Sequence, residues 1–270
     1  DSHNLNPVEI FMDKATSKRN NIGWDPVFYW TGASSYSSYW NDGDNWDQGG
    51  NTPGSGDNVV FNDTYITGSN YDSYMDNSYD ITDFEMTNYS YTVYMNGYTL
   101  NASGNYSQSS GTVNTGGGSI YVGGNLSQTG GQIYAYYSDM YIDGPGTMDF
   151  YYLYSEGGYT INIGTNTQPS SVSFNYDLYA GYAYVYSNGD ITQNCTLNAY
   201  YAYFIPDYDN ASGGSYVHSS GDVNGYLYID QYSDLSFTAD FTVYYGGFYI
   251  GDNGRIPSSV TISTGTLYGN

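Results

Sequence analysis

The sequence predicts an all-β protein: a right-handed parallel β-helix (β-solenoid) with an N-terminal extended arm and a Trp-rich capping segment. Three observations carry that expectation. First, the stretch Gly104–Val113 recurs as Gly124–Ile133, with Gly, Asn, Ser, Gln and Gly at matching places 20 residues on. Second, short segments alternate between aliphatic residues and tyrosine, the two-residue period of a strand. Third, the chain carries 38 Tyr and 35 Gly among 270 residues and few aliphatic side chains, yet 19% of it is aromatic. Tyrosine favours strands and buries a large area, so this composition suits an ordered β protein better than a disordered chain.

Residues 1–23 read as a strand-like arm in which Val8, Ile10 and Met12 alternate with Glu9, Phe11 and Asp13. Lys14, Lys18 and Arg19 follow, and Arg255 is the remaining cation of the four Lys and Arg in the chain. Residues 24–54 hold all four tryptophans: Trp24, Trp30, Trp40 and Trp46. They either cap the open apolar end of the first coil or stand as aromatic platforms for sugars, and the cap is the plainer reading, since an uncapped solenoid end aggregates. Residues 55–270 form the predicted β-helix.

Within that body, Gly189-Asp-Ile-Thr-Gln193 begins a third copy of the repeat and Gly221-Asp-Val-Asn-Gly225 a fourth. A single coil cannot bury its own apolar face, so coils must stack. Alternation assigns the faces. Ile120, Val122, Ile133, Ala135, Val185, Cys195, Leu227 and Ile229 should point inward, and Tyr121, Tyr134, Tyr184 and Tyr228 outward. Outward tyrosines on successive coils, about 4.8 Å apart, should then form ladders. Roughly ten coils would make a rod of about 50 Å.

The net charge of -23, with 27 acids against 4 Lys and Arg, excludes nucleic acid and anionic membranes as partners. No apolar run approaches a membrane span, so no membrane insertion is expected. The lone Cys195 shares the parity of Ile191 and Leu197 and reads as a small buried residue. A Lys-poor chain rich in Tyr, Asn, Ser, Thr and Gly reads as extracellular or at the cell surface, secreted with its signal peptide removed. Glycosylation sequons at Asn62, Asn88, Asn101, Asn105, Asn125, Asn194 and Asn210 are as frequent as this composition yields by chance.

Trp30-Thr-Gly-Ala33, Trp40, Asn45-Trp46, Pro53 and Asp57-Asn-Val-Val-Phe61 resemble the entry segment of bacterial secreted β-strand-repeat surface proteins. Gly124–Gly131, followed by Met140-Tyr-Ile-Asp-Gly144, is similar to their coil repeats. The resemblance implies an autotransporter-passenger-like or adhesin-like parallel β-helix on a cell surface. It carries no catalytic residues with it.

Enzymatic chemistry finds little material. His3 lies in the arm, and His218 should face outward if Val217 is inward. The carboxylates are too numerous to single out a catalytic pair. No enzyme is expected, and no cofactor. Asp42, Asp44 and Asp47 form one dense oxygen cluster that reads as a solvated acidic turn, or as weak ligands for a hard cation such as Ca²⁺. The expected function is a structural subunit of an extracellular filament. Its arm residues Val8, Ile10, Met12, Lys14, Lys18 and Arg19 would dock on an acidic neighbour, self-associating head to tail into a homopolymer. The alternative is a monomeric surface adhesin that binds glycans or surfaces through tyrosine-lined faces.

Overall fold

A computed structural model describes residues 26–142, 146–155, 160–164, 169–206, 214–229, 234–239, 241–250, 260–262 and 267–268. The arm, Trp24 and Arg255 lie outside the described residues. Every strand-to-strand ladder among them is parallel, and about eight regular turns stack as a β-solenoid. There is no α-helix among the described residues, only single 3-10 turns at Gly43–Asn45 and Asp63–Tyr65. No described helix is long and apolar enough to cross a membrane.

Each turn has three faces. The first face stacks Val27–Tyr29, Asn58–Phe61, Phe84–Met86, Tyr106–Gln108 and Leu126–Gln128 in register. The second stacks Ser73–Tyr74, Thr92–Tyr94, Thr112–Asn114 and Gln132–Tyr134. The third stacks Tyr79–Ile81, Leu100–Ala102 and Ile120–Val122. Beyond them the corners flatten. Ser171–Tyr186 runs through all three faces as one 16-residue strand, pairing Val172 with Ile191, Leu178 with Leu197 and Ala183 with Ala202.

All eight residues expected inside are buried, Cys195 included. Tyr121, Tyr134, Tyr184 and Tyr228 take the alternate, outer positions and remain half-exposed. The tryptophans within the described range are interior too. Trp30 and Trp40 are fully buried, and Trp46 packs edge-on against both at 5.1 and 5.5 Å between ring centroids. Their ring N–H groups are satisfied inside, by the carbonyl of Asn70 for Trp30 and that of Trp40 for Trp46. These three close the first coil as packing, and none of the described tryptophan rings is exposed as a sugar platform.

The structure explains the leading Gly, the Asn and the Gln of the repeat. Gly124 lies where a Cβ would sit 2.5 Å from Asn105 Oδ1 and 2.9 Å from the Gly104 carbonyl. The Asn that follows continues the backbone ladder with its side chain. Asn58 Oδ1 accepts from the N–H of Asp83, Asp83 from Asn105, Asn105 from Asn125, and Asn125 from Thr147, at 2.6 to 3.2 Å. Two of the sequons are thus explained by coil geometry. The Gln turns inward at the corner. Gln128 Oε1 accepts the N–H groups of Tyr151 and Tyr152 at 3.0 and 3.1 Å, while its Nε2 donates to the Tyr152 carbonyl at 3.1 Å. A buried amide is tolerable only when its own groups are paired, and here it also satisfies backbone that no strand can reach.

Some expectations need correction. Not every tyrosine faces out: Tyr89, Tyr106 and Tyr216 are buried. Tyr106 stacks on Phe84 at 4.9 Å and donates its hydroxyl to Gln108. His218 is buried, not outward, and Val217 takes the outer position. The cause is register: Tyr216 pairs with the inward Ile191 and His218 with the inward Gln193. The copy at Gly221 belongs to another face, because Val223 pairs with Leu197 on the second. The repeat also breathes. Tyr106 and Leu126 are register partners 20 residues apart, but Val59 and Phe84 are 25 apart, so the chain closes fewer turns than a strict period predicts.

Candidate functional site

The most distinctive surface is on the third face, in the later turns. There, alternation places tyrosines on the outer side at two successive positions of each strand, and parallel register puts like on like. Tyr182, Tyr201 and Tyr226 make one column, and Tyr184, Tyr203, Tyr228 and Tyr249 the other. In the second column the ring centroids are 4.9, 4.7 and 4.7 Å apart and the planes lie within 3 to 10° of parallel. In the first they are 5.6 and 5.1 Å apart at 19 and 21°. None of these residues is charged.

The spacing is that of the coils, about 4.8 Å, so the rings stack with an offset and use their faces on one another. Outward the ladder presents ring edges and phenolic hydroxyls in rows, a stiff ribbed surface about 15 Å long. Each stacked pair contributes about 0.5–1.5 kcal/mol beyond its buried area. Shorter stacks occur elsewhere: Tyr74 on Tyr94, Tyr71 on Tyr91 and Tyr151 on Tyr176, all at 4.7 to 4.8 Å.

Two open grooves flank the corners. One, of about 550 Å³, lies over Gly111 and Gly131 beside Tyr151, Tyr152 and Tyr176. The other, of about 510 Å³, lies between the second and third faces and is lined by Ala199, Gly225, Asn198, Asn224, Tyr200 and Tyr245, among others. Two of its exposed tyrosines, Tyr200 and Tyr245, sit at β-bulges, whereas Tyr179 lies in the regular ladder. The ladder passes from Ala199 to Tyr201 and leaves Tyr200 outside the pairing. Likewise Tyr245 falls in the gap between the partners of Asn224 and Tyr226. Bulges re-aim side chains, and these two are 60% and 94% exposed. Sequence alternation missed both, since nothing in the local pattern marks an unpaired residue.

The acidic cluster serves the cap. Asp42 accepts hydroxyl hydrogens from Ser34 and Ser37 at 2.5 and 2.7 Å, which hold its carboxyl below the usual range. Asp47 Oδ1 accepts the N–H of Tyr29 at 3.0 Å, and Asp44 is exposed. Among the described residues no three Asp, Glu, His or Cys side chains come together as a metal site. Cys195 is interior, its thiol pushed up to about 12, chiefly by burial. The interface residues expected in the arm, Val8, Ile10, Met12, Lys14, Lys18 and Arg19, lie outside the described residues, as does His3. No family model, curated protein or solved structure matches the chain.

Proposed function

We propose that this chain is a non-catalytic attachment rod that works outside the cell and holds to extended surfaces by its tyrosine-lined third face. The observation that carries this reading is the double ladder from Tyr182 to Tyr249. A rigid β-solenoid presents its hydroxyls at one fixed spacing, so a repetitive surface can be met at many points at once. Rigid tyrosines lose little side-chain entropy on contact, and each offers an apolar edge with a polar tip. The filament expectation rests on Val8, Ile10, Met12 and the cations after them, all outside the described residues. Attachment is therefore what the described geometry supports best.

Retention on insoluble polysaccharide particles and on hydroxylated or alkylated sensor surfaces tests it. Wild type should be retained on at least one of them. The variant Tyr203→Ser/Tyr228→Ser, folded by circular dichroism, should lose at least ten-fold in retention. Equal retention of the two proteins, or none of either, overturns the reading.

A further inference from the structure

The groove between the second and third faces differs in kind from the ladder beside it. Tyr179 at one end is stacked on Tyr154 of the coil before it, but Tyr200 belongs to no such stack. The plane of Tyr200 crosses those of Tyr182, Tyr201 and Tyr226 at 86, 76 and 87°. The ring therefore stands outside the stacked columns, and it is 60% exposed. Tyr245 lines the same groove at φ +58°, in the left-handed region. A non-glycine residue there is strained, and such outliers concentrate at binding sites.

The floor of the groove is built to be low. Gly225 sits where a Cβ would come within 1.8 Å of the Ala199 carbonyl, and the neighbouring floor positions are Ala180 and Ala199. Along the other side runs a polar rail, one residue per coil. Asn224 Nδ2 donates to Asn198 Oδ1 at 2.7 Å, and Asn198 Nδ2 donates to Asp177 Oδ1 at 3.3 Å. Each carboxamide has two N–H groups and an oxygen with two lone pairs. The rail uses one N–H of each, which leaves donor and acceptor capacity on two residues that line the groove.

We propose that this groove binds a neutral oligosaccharide chain. Aromatic rings that can take the C–H faces of pyranoses, carboxamides that pair with vicinal hydroxyls, and a floor of small residues are the chemistry such a ligand needs. Charge selects against the alternatives. All four Lys and Arg, at positions 14, 18, 19 and 255, fall outside the described residues, and the net charge is -23. A carboxylated or sulfated glycan would meet repulsion, with no guanidinium or ammonium among the described residues to pair with. Of the attachment reading, the proposal assumes only that the rod is a binding protein. The groove and the ladder can be altered separately.

The test is calorimetric titration of the full chain with soluble gluco-, xylo-, manno- and chito-oligosaccharides of about four to six units, and with oligogalacturonate as the anionic comparison. At least one neutral series should bind, and oligogalacturonate should bind at least ten-fold more weakly. Tyr200→Ala and Asn224→Ala should each weaken that binding ten-fold or more. Tyr200→Phe, which keeps the ring, should stay within three-fold of wild type, separating ring contact from loss of fold. Tyr203→Ser/Tyr228→Ser should bind the soluble ligand like wild type even where it no longer holds to a surface. Absence of binding to every neutral series, oligogalacturonate bound as tightly, or Tyr200→Ala as tight as wild type while folded would each overturn the proposal.

Discussion

Asn125 donates its backbone N–H to the side-chain oxygen of Asn105, 3.0 Å away and one coil earlier, and passes the same favour on through its own Oδ1 to the N–H of Thr147 at 2.9 Å. A side chain thus fills a rung that the backbone ladder lacks at the entry to the first face. Asn125→Ala removes the acceptor and should lower stability by about 1 kcal/mol, the usual worth of one such bond. Asn125→Asp keeps it, as Asp83 does for Asn105, and should retain most of the stability. Urea midpoints of the two variants check this.

Gln128 is a harder case, because it is buried and serves backbone groups of two residues. Gln128→Leu matches its bulk but strands the N–H groups of Tyr151 and Tyr152 and the carbonyl of Tyr152. Each stranded group costs about 1–3 kcal/mol. The variant should lose about 3 kcal/mol or more, and amide exchange should quicken first at Tyr151 and Tyr152.

Glycines in this rod differ by position. Gly225→Ala would drive a methyl into the Ala199 carbonyl at 1.8 Å, at φ +135°, and should lose about 4 kcal/mol or fail to fold. Gly56→Ala also sits at positive φ, +90°, but nothing lies within 4 Å of its added carbon. It should cost only about 1–2 kcal/mol. Thermal unfolding of both, side by side, measures close approach separately from backbone strain.

Alkaline pH should unfold the rod. Tyr106 and Tyr216 are raised well above the ordinary 10.0 by burial, and so is Tyr89, with Asp72 and Asp63 adding to it. Cys195 is raised from 9.0 to about 12. In each case the native state keeps a proton that the unfolded chain releases. Their contribution is therefore fully present below about pH 9 and is lost as pH rises above it, by about 1.4 kcal/mol per pH unit for each group once its unfolded form ionises. Urea midpoints should be flat up to pH 9 and fall steeply between pH 10 and 11. A midpoint that holds through pH 11 would show that these groups are not buried in the native state.

The sequence by itself determined the architecture and most of the interior. A repeat of 20 residues and a two-residue alternation are local properties, and they place Ile120, Val122, Ile133 and Leu227 inside whatever the coil does elsewhere. Stacking identical parities also makes tyrosine ladders unavoidable wherever register is parallel, as at Tyr203 and Tyr228. Tertiary structure alone decided the exceptions. His218 and Tyr216 face inward because their coil inherits its parity from Ile191 and Gln193 below, overriding the apolar preference of Val217. Tyr106 is interior because Phe84 beneath it offers a stacking surface and Gln108 an acceptor for its hydroxyl. Tyr200 and Tyr245 are set out beside the groove by bulges, and a bulge is a mismatch between two strands. One strand read alone cannot contain a mismatch, so the candidate binding groove came into view only when the coils were stacked.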